Sequence, residues 1–213
     1  MLDIQKCLDW YPINAALSSR VVMENLLTRL QSVILDGVPG DVIEMGCHAG
    51  DTSVFFARMI QELNGFGPEH TPTSIRRLHL YDSFQGLPEK GAKDNPDWGD
   101  AGSVRTAEQV VRARFDKEDL PPPQIHSGWF AELPDAEFPD KIAFAFFDGD
   151  LYQSIFDSFV RVYPRLSSGA IVCVHDYGVD NWPGVQRACE EYLADKPERM
   201  ESACFLLGAM AKK

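Results

Sequence analysis

The sequence lacks three features that would each indicate a particular class of protein. Its longest apolar stretch, Ile142 to Phe147, is far shorter than the roughly 20 residues that a membrane-spanning helix needs. Its five cysteines contain no Cys-x-x-Cys pair, and their odd number favours reduced thiols over a disulfide framework. The first residues show no basic segment followed by an apolar core, as a signal peptide would. We therefore expect a cytoplasmic protein without a membrane partner.

Positive charge is scarce as well. The 213 residues include 20 lysines and arginines against 32 aspartates and glutamates, a net charge of -12. This balance disfavours a nucleic-acid partner and an anionic lipid surface, because both are bound largely through basic residues. A small neutral substrate and a divalent cation are compatible with it. The hydrophobic share of 45% is that of an ordinary globular protein, and the length predicts one domain over residues 1–213.

Apolar runs of strand length alternate with segments that have helical periodicity. The helices are predicted at 22–34, 52–63, 106–115, 152–163 and 185–193, the first within an N-terminal helical segment over about 1–37. The strands are predicted at 41–45, 78–81, 124–126, 142–147 and 170–174, with further strand structure at 201–211. This alternation predicts an α/β fold with a doubly wound, mostly parallel, Rossmann-like sheet. Ligands of such sheets bind beyond the carboxyl ends of the strands.

The first predicted strand runs into a glycine-containing turn. Gly46 and Gly50 give the spacing G-x-x-x-G, which differs from the G-x-G-x-x-G that binds a dinucleotide pyrophosphate. A ligand with an amino-acid part and an adenosine part fits this turn better. Thr52 or Ser53 could cap the helix that follows. The alternative is an ordinary turn between a strand and a helix.

The ends of the second and third predicted strands carry further candidates for a ligand site. Asp82 follows the second strand, where an acid can accept hydrogen bonds from ribose hydroxyls, although it could also be a turn acid in solvent. Asp82 lies farther along the sequence from Gly46 than a ribose-binding acid usually lies from the glycine turn, and the insertion 64–76 accounts for the additional length. Trp129 and Phe130 follow the third strand and could form an apolar wall for adenine or belong to the core.

Charged residues follow the fourth and fifth predicted strands. Asp148 and Asp150 flank a glycine after the fourth strand, and His175 and Asp176 follow the fifth. Charges at the ends of apolar strands are unfavourable unless they bind something. Asp148, His175 and Asp176 could supply three ligands to a divalent cation, with Asp150 beside them as a base. The alternative is that these acids only cap the following helices, a role for which Asp150 is well placed.

Six segments of the sequence, taken in order, resemble the TylF-like macrocin O-methyltransferase family. The segments are DVIEMGCHAGDTSVFFA, LYDSFQGLPE, SGWFAELP, FFDGDLYQS, GAIVCVHDYG and WPGVQRACEEYL, and they span roughly residues 37 to 195. The family consists of class I methyltransferases that use S-adenosylmethionine to methylate sugar hydroxyls of natural products. The resemblance implies a small-molecule hydroxylated acceptor. Members of the family can carry additional N-terminal helices that assemble oligomers, so the resemblance is compatible with a homo-oligomer. This chain looks short at its N-terminus compared with such members.

The resemblance also implies roles for individual residues. Asp148 and Asp176 match metal ligands, and Asp150 matches the general base. The family usually has an aspartate where this chain has His175, so we expect manganese or a softer ion to be favoured over magnesium. Together with the turn and wall residues above, the predicted cofactor-binding residues are Glu44, Gly46, Gly50, Thr52, Ser53, Asp82, Ser83, Phe84, Ser127, Gly128, Trp129, Phe130 and Asp148.

Two questions stay open at the level of sequence. The chain could be a metal-independent methyltransferase with His175 as the catalytic base, or a module that binds the cofactor without catalysis. The loop 88–105 is predicted to be a lid over the site, because loops of this kind close on substrate and exclude water. Trp98 within this loop could cover the acceptor or anchor the loop.

Overall fold

A computed structural model describes residues 1–14, 18–63 and 76–213. Nearly all of the predicted insertion 64–76 lies outside the described residues. The strands are β1 (Asp41–Met45), β2 (Leu78–Asp82), β3 (Gln124–Ser127), β4 (Ile142–Phe147), β5 (Leu166–His175), β6 (Glu201–Cys204) and β7 (Leu207–Ala211). The helices are α1 (Ile4–Cys7), α2 (Arg20–Leu35), α3 (Ser53–Leu63), α4 (Glu108–Lys117), α5 (Tyr152–Val162) and α6 (Pro183–Tyr192).

The strands form one seven-stranded sheet in the order β3-β2-β1-β4-β5-β7-β6. The first five strands of this order pair in parallel, while β7 is antiparallel to both of its neighbours. This confirms the predicted doubly wound α/β fold. The strand order reverses between β1 and β4, and in open α/β sheets a crevice for ligands forms at such a point. The single strand region predicted at 201–211 is a hairpin of two strands.

The central strand β4 shows why the sheet has helices on both faces. All of its residues are buried, and successive side chains point to opposite faces of the sheet. Phe144 packs edge-on against Phe56 of α3 with ring centroids 5.6 Å apart, whereas Phe147 packs against Phe159 of α5 at 5.0 Å. The two apolar layers hold β4 between them and fix the position of the residues that follow it.

The N-terminal helices differ in detail from the prediction. Residues 1–20 have no clear period in the sequence, yet they include α1, whose first turn is capped by Asp3. Helix α2 begins earlier than predicted because the Ser19 hydroxyl accepts a hydrogen bond from the backbone N–H of Val22 at 3.2 Å. Over the ranges that the structure describes, no helix has both the length and the apolar character that crossing a membrane requires.

A buried ion pair fastens the C-terminal end of the chain. Glu198 is 2% exposed and accepts hydrogen bonds from the Tyr163 hydroxyl at 2.6 Å, from the Lys212 ammonium at 3.0 Å and from the backbone N–H of Lys213 at 3.0 Å. Burial alone would raise the pKa of Glu198, but these hydrogen bonds outweigh it and lower the pKa to about 2. Folding therefore stabilises the ionised carboxylate of Glu198 relative to its protonated form.

We expect this pair to make the chain sensitive to acid. A carboxyl whose pKa is lowered by folding contributes stability above its unfolded pKa, and this stability is lost as the pH falls toward the folded value. The free energy of unfolding should therefore fall between about pH 4.5 and pH 2 by more in the wild type than in Glu198→Gln. Urea denaturation at several pH values measures the difference, and parallel curves for the two proteins would contradict it.

Candidate active site

A cavity of about 660 Å³ lies at the carboxyl ends of β1, β2, β4 and β5. Its walls come from the turns after these strands, from the segment before α2, from the long loop after β2 and from the turn between β6 and β7. Of the residues predicted for the site, the lining includes Glu44, Gly46, Thr52, Asp82, Ser83, Trp129, Phe130, Asp148, Asp150, His175 and Asp176. These residues come from positions across most of the chain, and the sheet order brings them together.

Gly46 sits where β1 and β4 diverge, and the backbone around it explains why this position is a glycine. Its φ of +96° is in the left-handed region, and a Cβ there would overlap the backbone carbonyl of Asp148. The Asp148 N–H in turn donates to the Met45 carbonyl at 2.8 Å. The close approach thus joins the turn after β1 to the turn after β4. Gly50, also at positive φ, faces Val111 and lies outside the lining.

Glu44 is buried at the bottom of this turn with a single serine partner. It is 1% exposed, and the Ser53 hydroxyl donates to its Oε2 at 2.5 Å. Burial raises the pKa of Glu44 well above its usual range, and the nearby charges of Asp148 and Asp82 add to this effect. Ser53 therefore directs its hydroxyl to Glu44 inside the protein, while its neighbour Thr52 lines the cavity.

Asp82 holds two loops together at the end of β2. Its Oδ2 accepts from the backbone N–H of His48 and its Oδ1 from that of Phe84, both at 2.8 Å. Burial raises the pKa of Asp82 above its usual value despite these hydrogen bonds. Each carboxylate oxygen can still accept a further hydrogen bond from a ligand hydroxyl. The Phe84 side chain packs against the apolar core and does not line the cavity.

Some of the residues after β3 line the cavity, and others lie outside its lining. Trp129 and Phe130 line the cavity. The Ser127 hydroxyl instead donates to Glu108 at 2.8 Å, and Gly128 packs close to Leu133, so both lie outside the lining.

Trp98 is 52% exposed and lies outside the cavity lining. Trp182, which the sequence analysis did not single out, lines the cavity instead. Its ring packs so closely on Gly99 that a Cβ at that position would lie 2.7 Å from the ring. The long loop after β2 thus contacts Trp182 through its own backbone.

His175 stands between two carboxylates at the ends of β4 and β5. Its Nδ1 lies 3.1 Å from Asp148 Oδ1 and 3.3 Å from Asp176 Oδ2. One potential ligand atom from each of these residues lies within 4.8 Å of the other two. Its other ring nitrogen, Nε2, is buried and has no hydrogen-bond partner in the described part of the chain. Oxygen and imidazole donors at this spacing fit a divalent cation.

The electrostatics of this cluster favour an added positive charge. Burial alone would lower the pKa of His175, but the neighbouring Asp148 and Asp176 outweigh it and raise the pKa to about 11. Burial raises the pKa of Asp150 well above its usual range, and the charges of Asp148 and Asp176 raise it further. Even with a protonated imidazole, the negative charges of the cluster are not balanced by the residues around it.

Asp150 does not cap the helix that follows it, which was the alternative from the sequence. The first N–H of α5, that of Tyr152, donates to Asp94 Oδ1 at 2.7 Å instead. Asp150 has a φ of +60° and Asp176 a φ of +55°, both in the left-handed region. Such strain in residues other than glycine is concentrated at functional sites. It orients both carboxyls toward His175 and the cavity.

Several lining residues were missed because they come from segments without a strand end. Ser18 and Ser19 precede α2, Leu206 forms the turn of the C-terminal hairpin, and Asp157 lies one turn inside α5. His48 lies within the recognised turn, but its imidazole had no predicted role. Only the positive φ of His48 and Leu206 marks them in the backbone, and sequence periodicity does not report it.

The family model described as macrocin O-methyltransferase (TylF) matches residues 3–201. The chain belongs to the macrocin O-methyltransferase family. The match begins well before the segment 37 to 195 on which the resemblance was based, so it includes α1 and α2. The chain is thus assigned as an S-adenosylmethionine-dependent O-methyltransferase.

Two related enzymes support this assignment, and one solved structure shares the fold. The 8-demethyl-8-(2,3-dimethoxy-alpha-L-rhamnosyl)-tetracenomycin-C 4'-O-methyltransferase of Streptomyces olivaceus is 31% identical, over 88% of this chain and 69% of that one. Demethyldecarbamoylnovobiocin O-methyltransferase of Streptomyces niveus is 32% identical, over 87% of this chain and 70% of that one. The structure of the O-methyltransferase NovP shares the fold, with a TM-score of 0.78 at 24% identity over 99% of this chain and 88% of that one.

The position of Asp82 generates a prediction about the methyl donor. We expect Asp82→Asn, which removes the charge but keeps one acceptor oxygen, to weaken S-adenosylmethionine binding about ten- to a hundredfold. The reason is the loss of charge-assisted hydrogen bonds to the ribose. Calorimetry measures the affinity, with the thermal midpoint of the cofactor-free protein as a control for folding. An affinity equal to that of the wild type would show that Asp82 only connects the two loops.

Proposed function

We propose that this methyltransferase transfers the methyl group of S-adenosylmethionine to a hydroxyl of a sugar unit in a natural-product small molecule, assisted by a divalent cation. One observation carries the proposal. Gly46 and Asp82, the donor-side residues, line the same 660 Å³ cavity as the cluster of Asp148, His175 and Asp176. A donor and a hydroxyl held in one enclosed space react far faster than the same groups free in solution.

The donor would occupy the side formed by the turns after β1, β2 and β3. We assign the ribose to Asp82 and the adenine to the wall of Trp129 and Phe130, which offer aromatic surface at the cavity. The positively charged sulfonium suits a cavity whose nearest charges are carboxylates. Five of the predicted residues would support this site from behind its walls; they are Gly50, Ser53, Phe84, Ser127 and Gly128.

The acceptor hydroxyl would lie at the charged cluster. Asp148, His175 and Asp176 would hold the cation, and the spacing of their ligand atoms supports this assignment. A bound divalent cation lowers the pKa of a hydroxyl beside it. Asp150 would accept the proton of that hydroxyl. Its raised pKa makes Asp150 a stronger base than an ordinary aspartate, which suits this role.

The alternative mechanism, without metal and with His175 as the base, has less support. An imidazole must be neutral to accept a proton. Flanked by Asp148 and Asp176, His175 has its pKa raised to about 11 and carries its proton at neutral pH. A cation held by the same two carboxylates would replace that proton, whereas a free base would have to lose it unaided. The charge balance therefore favours the metal-assisted mechanism.

The charge of the cavity also restricts the acceptor. Within the described residues, its lining includes eight carboxylates and no lysine or arginine. The sequence at 15–17 and 64–75 adds no lysine or arginine either. Phosphate groups are bound in proteins mainly through such basic side chains and through helix N-termini. We therefore propose an acceptor without phosphate, such as an assembled glycoside, in preference to a nucleoside diphosphate sugar.

A methyl-transfer assay tests the function and the base together. With S-adenosylmethionine, a panel of uncharged and amine-bearing glycosides should contain substrates, while a matched nucleoside diphosphate sugar should not be methylated. Asp150→Asn should lower the turnover rate by about 10²–10⁴, the usual contribution of a general base. Its affinity for S-adenosylmethionine should stay close to that of the wild type. Near-normal turnover in Asp150→Asn would remove Asp150 from the mechanism.

Metal titration tests the cation. Because imidazole replaces a carboxylate, the wild type should bind manganese more tightly than magnesium, and His175→Asp should shift the preference toward magnesium. Binding is measured by calorimetry, and rates are measured after chelator treatment and after each ion is restored. Asp157→Asn, which changes a lining acid outside the three proposed ligands, serves as the control for metal affinity. If neither ion binds the wild type or alters its rate, the metal-assisted mechanism is wrong.

A further inference from the structure

Helix α5 is capped by a residue from a distant loop. Its own N-cap position, Leu151, offers no side-chain hydrogen bond. Asp94, which lies 58 residues earlier, accepts from the Tyr152 N–H through Oδ1 at 2.7 Å. The other oxygen of Asp94 accepts from the backbone N–H of Gly91 at 2.8 Å, which fixes the carboxylate to its own loop. Asp94 thus connects two separate segments of the chain.

The same carboxylate also lies against the start of α6. A side chain at position 184 would collide with Asp94 Oδ1, so the glycine found there is what lets the carboxylate sit between the two helices. Helix N-termini carry partial positive charge, and an anion placed beside them is stabilised. Asp94 is therefore held by hydrogen bonds and by the fields of α5 and α6 together.

The segment that Asp94 fastens is part of the cavity wall. Loop 88–105 contributes Pro88, Glu89, Gly99, Ser103 and Val104 to the lining. Backbone hydrogen bonds between position 87 and positions 102 and 103 close the base of this loop at 2.9 and 3.0 Å. Nearer the middle of the loop, Asp94 attaches it to the body of the protein.

A second attachment beside Asp94 is weaker. The Lys93 ammonium pairs with the Glu191 carboxylate at 2.5 Å and lies over the ring of Tyr152. The side chains of Lys93 and Glu191 are each more than one third exposed. Ion pairs at the surface contribute little, about 0–1 kcal/mol. Lys93 therefore provides a matched comparison, since it adjoins Asp94 in the sequence and contacts the same helix without capping it.

The capped helix begins directly after the charged cluster. Asp148 and Asp150 belong to the turn that leads into Tyr152, so a bond to the Tyr152 N–H acts at the end of that turn. Release of Asp94 would free the loop at the cavity and leave the first turn of α5 uncapped at the same time. One carboxylate is thus connected to both the wall of the cavity and the support of the cluster.

We propose that Asp94 is a positioning residue that holds loop 88–105 over the cavity and supports the turn of Asp148 and Asp150 through the N-terminus of α5. The proposal rests on the methyl-transfer function proposed above. Loss of Asp94 should raise the KM for the acceptor about tenfold, because a tenfold change corresponds to ~1.4 kcal/mol, within the range for a lost helix cap. The turnover number should fall by less than this factor, because the Asp148 N–H bond to the Met45 carbonyl still holds the turn.

The experiment compares Asp94→Ala, Asp94→Asn and Lys93→Met by steady-state kinetics and by hydrogen exchange of the cofactor-free protein. In Asp94→Ala, amides of loop 88–105 and of Tyr152 should exchange about tenfold faster, in parallel with the rise in KM. Asp94→Asn should lie between this variant and the wild type, because its amide oxygen can still accept from the Tyr152 N–H. Lys93→Met should resemble the wild type in both measurements.

Two results would overturn the proposal. One is a lowered thermal midpoint in Asp94→Ala with loop exchange and KM at the level of Lys93→Met, which would make Asp94 a helix cap only. The other result is loop exchange in Glu198→Gln, a variant destabilised far from the cavity, that is as fast as in Asp94→Ala. The faster exchange would then reflect a global loss of stability. If Asp94→Ala fails to fold, Asp94→Asn decides by the same criteria. If the wild type methylates no acceptor, the proposed function fails, while hydrogen exchange still tests the hold on the loop.

Discussion

The site depends on the close contact of two backbone turns at the point where the strand order reverses. Gly46 lies so near the carbonyl of Asp148 that no side chain fits between them. The turn after β1, which contains the donor-side residues, is therefore fixed against the turn after β4, which starts the charged cluster. In the proposed arrangement, the distance between the methyl donor and the acceptor would thus be set by backbone contacts inside the sheet rather than by flexible side chains.

Uncompensated negative charge is the second constraint. The carboxyls of Glu44, Asp82 and Asp150 all have raised pKa values, in each case mainly because they are buried and partly because other acids are near. Burying several carboxyls close together is unfavourable unless positive charge accompanies them. A sulfonium and a divalent cation would each supply such charge, so this arrangement favours positively charged ligands.

The fold was predictable because its signals are local. The buried strand β4, and the acids and histidine at the ends of β4 and β5, are visible as short runs in the sequence. Other features depend on contacts between distant segments, which periodicity does not encode. The sequence offered Asp150 as a base or, alternatively, as the cap of α5, whereas Asp94 caps this helix from a loop 58 residues away. It suggested Thr52 or Ser53 as the cap of α3 and gave no sign that the Ser53 hydroxyl donates to the buried Glu44.

The aromatic residues likewise include some whose position has a local sequence signal and others whose position depends on a contact between distant segments. Trp129 and Phe130 follow a strand end and line the cavity, as predicted for an apolar wall. The loop that was predicted to be a lid does contribute to the cavity, but Trp98 within it stays outside the lining. Trp182 lies in the cavity because Gly99 lets the loop approach its ring. Which of two tryptophans faces a ligand is decided by this tertiary contact, and no local pattern around either residue reports it.

The geometry of the charged cluster is held by groups outside the cluster. The N–H of Asp148 is bound to the Met45 carbonyl, and a side chain at Gly149 would meet Ser154. Asp150 and Asp176 keep left-handed backbone conformations, which cost about 1–3 kcal/mol each and persist only because the surroundings impose them. Repulsion between the carboxyls would otherwise spread them apart. Because the backbone resists this, the carboxyls are already oriented before a cation or a substrate arrives, and little reorganisation remains for the reaction step.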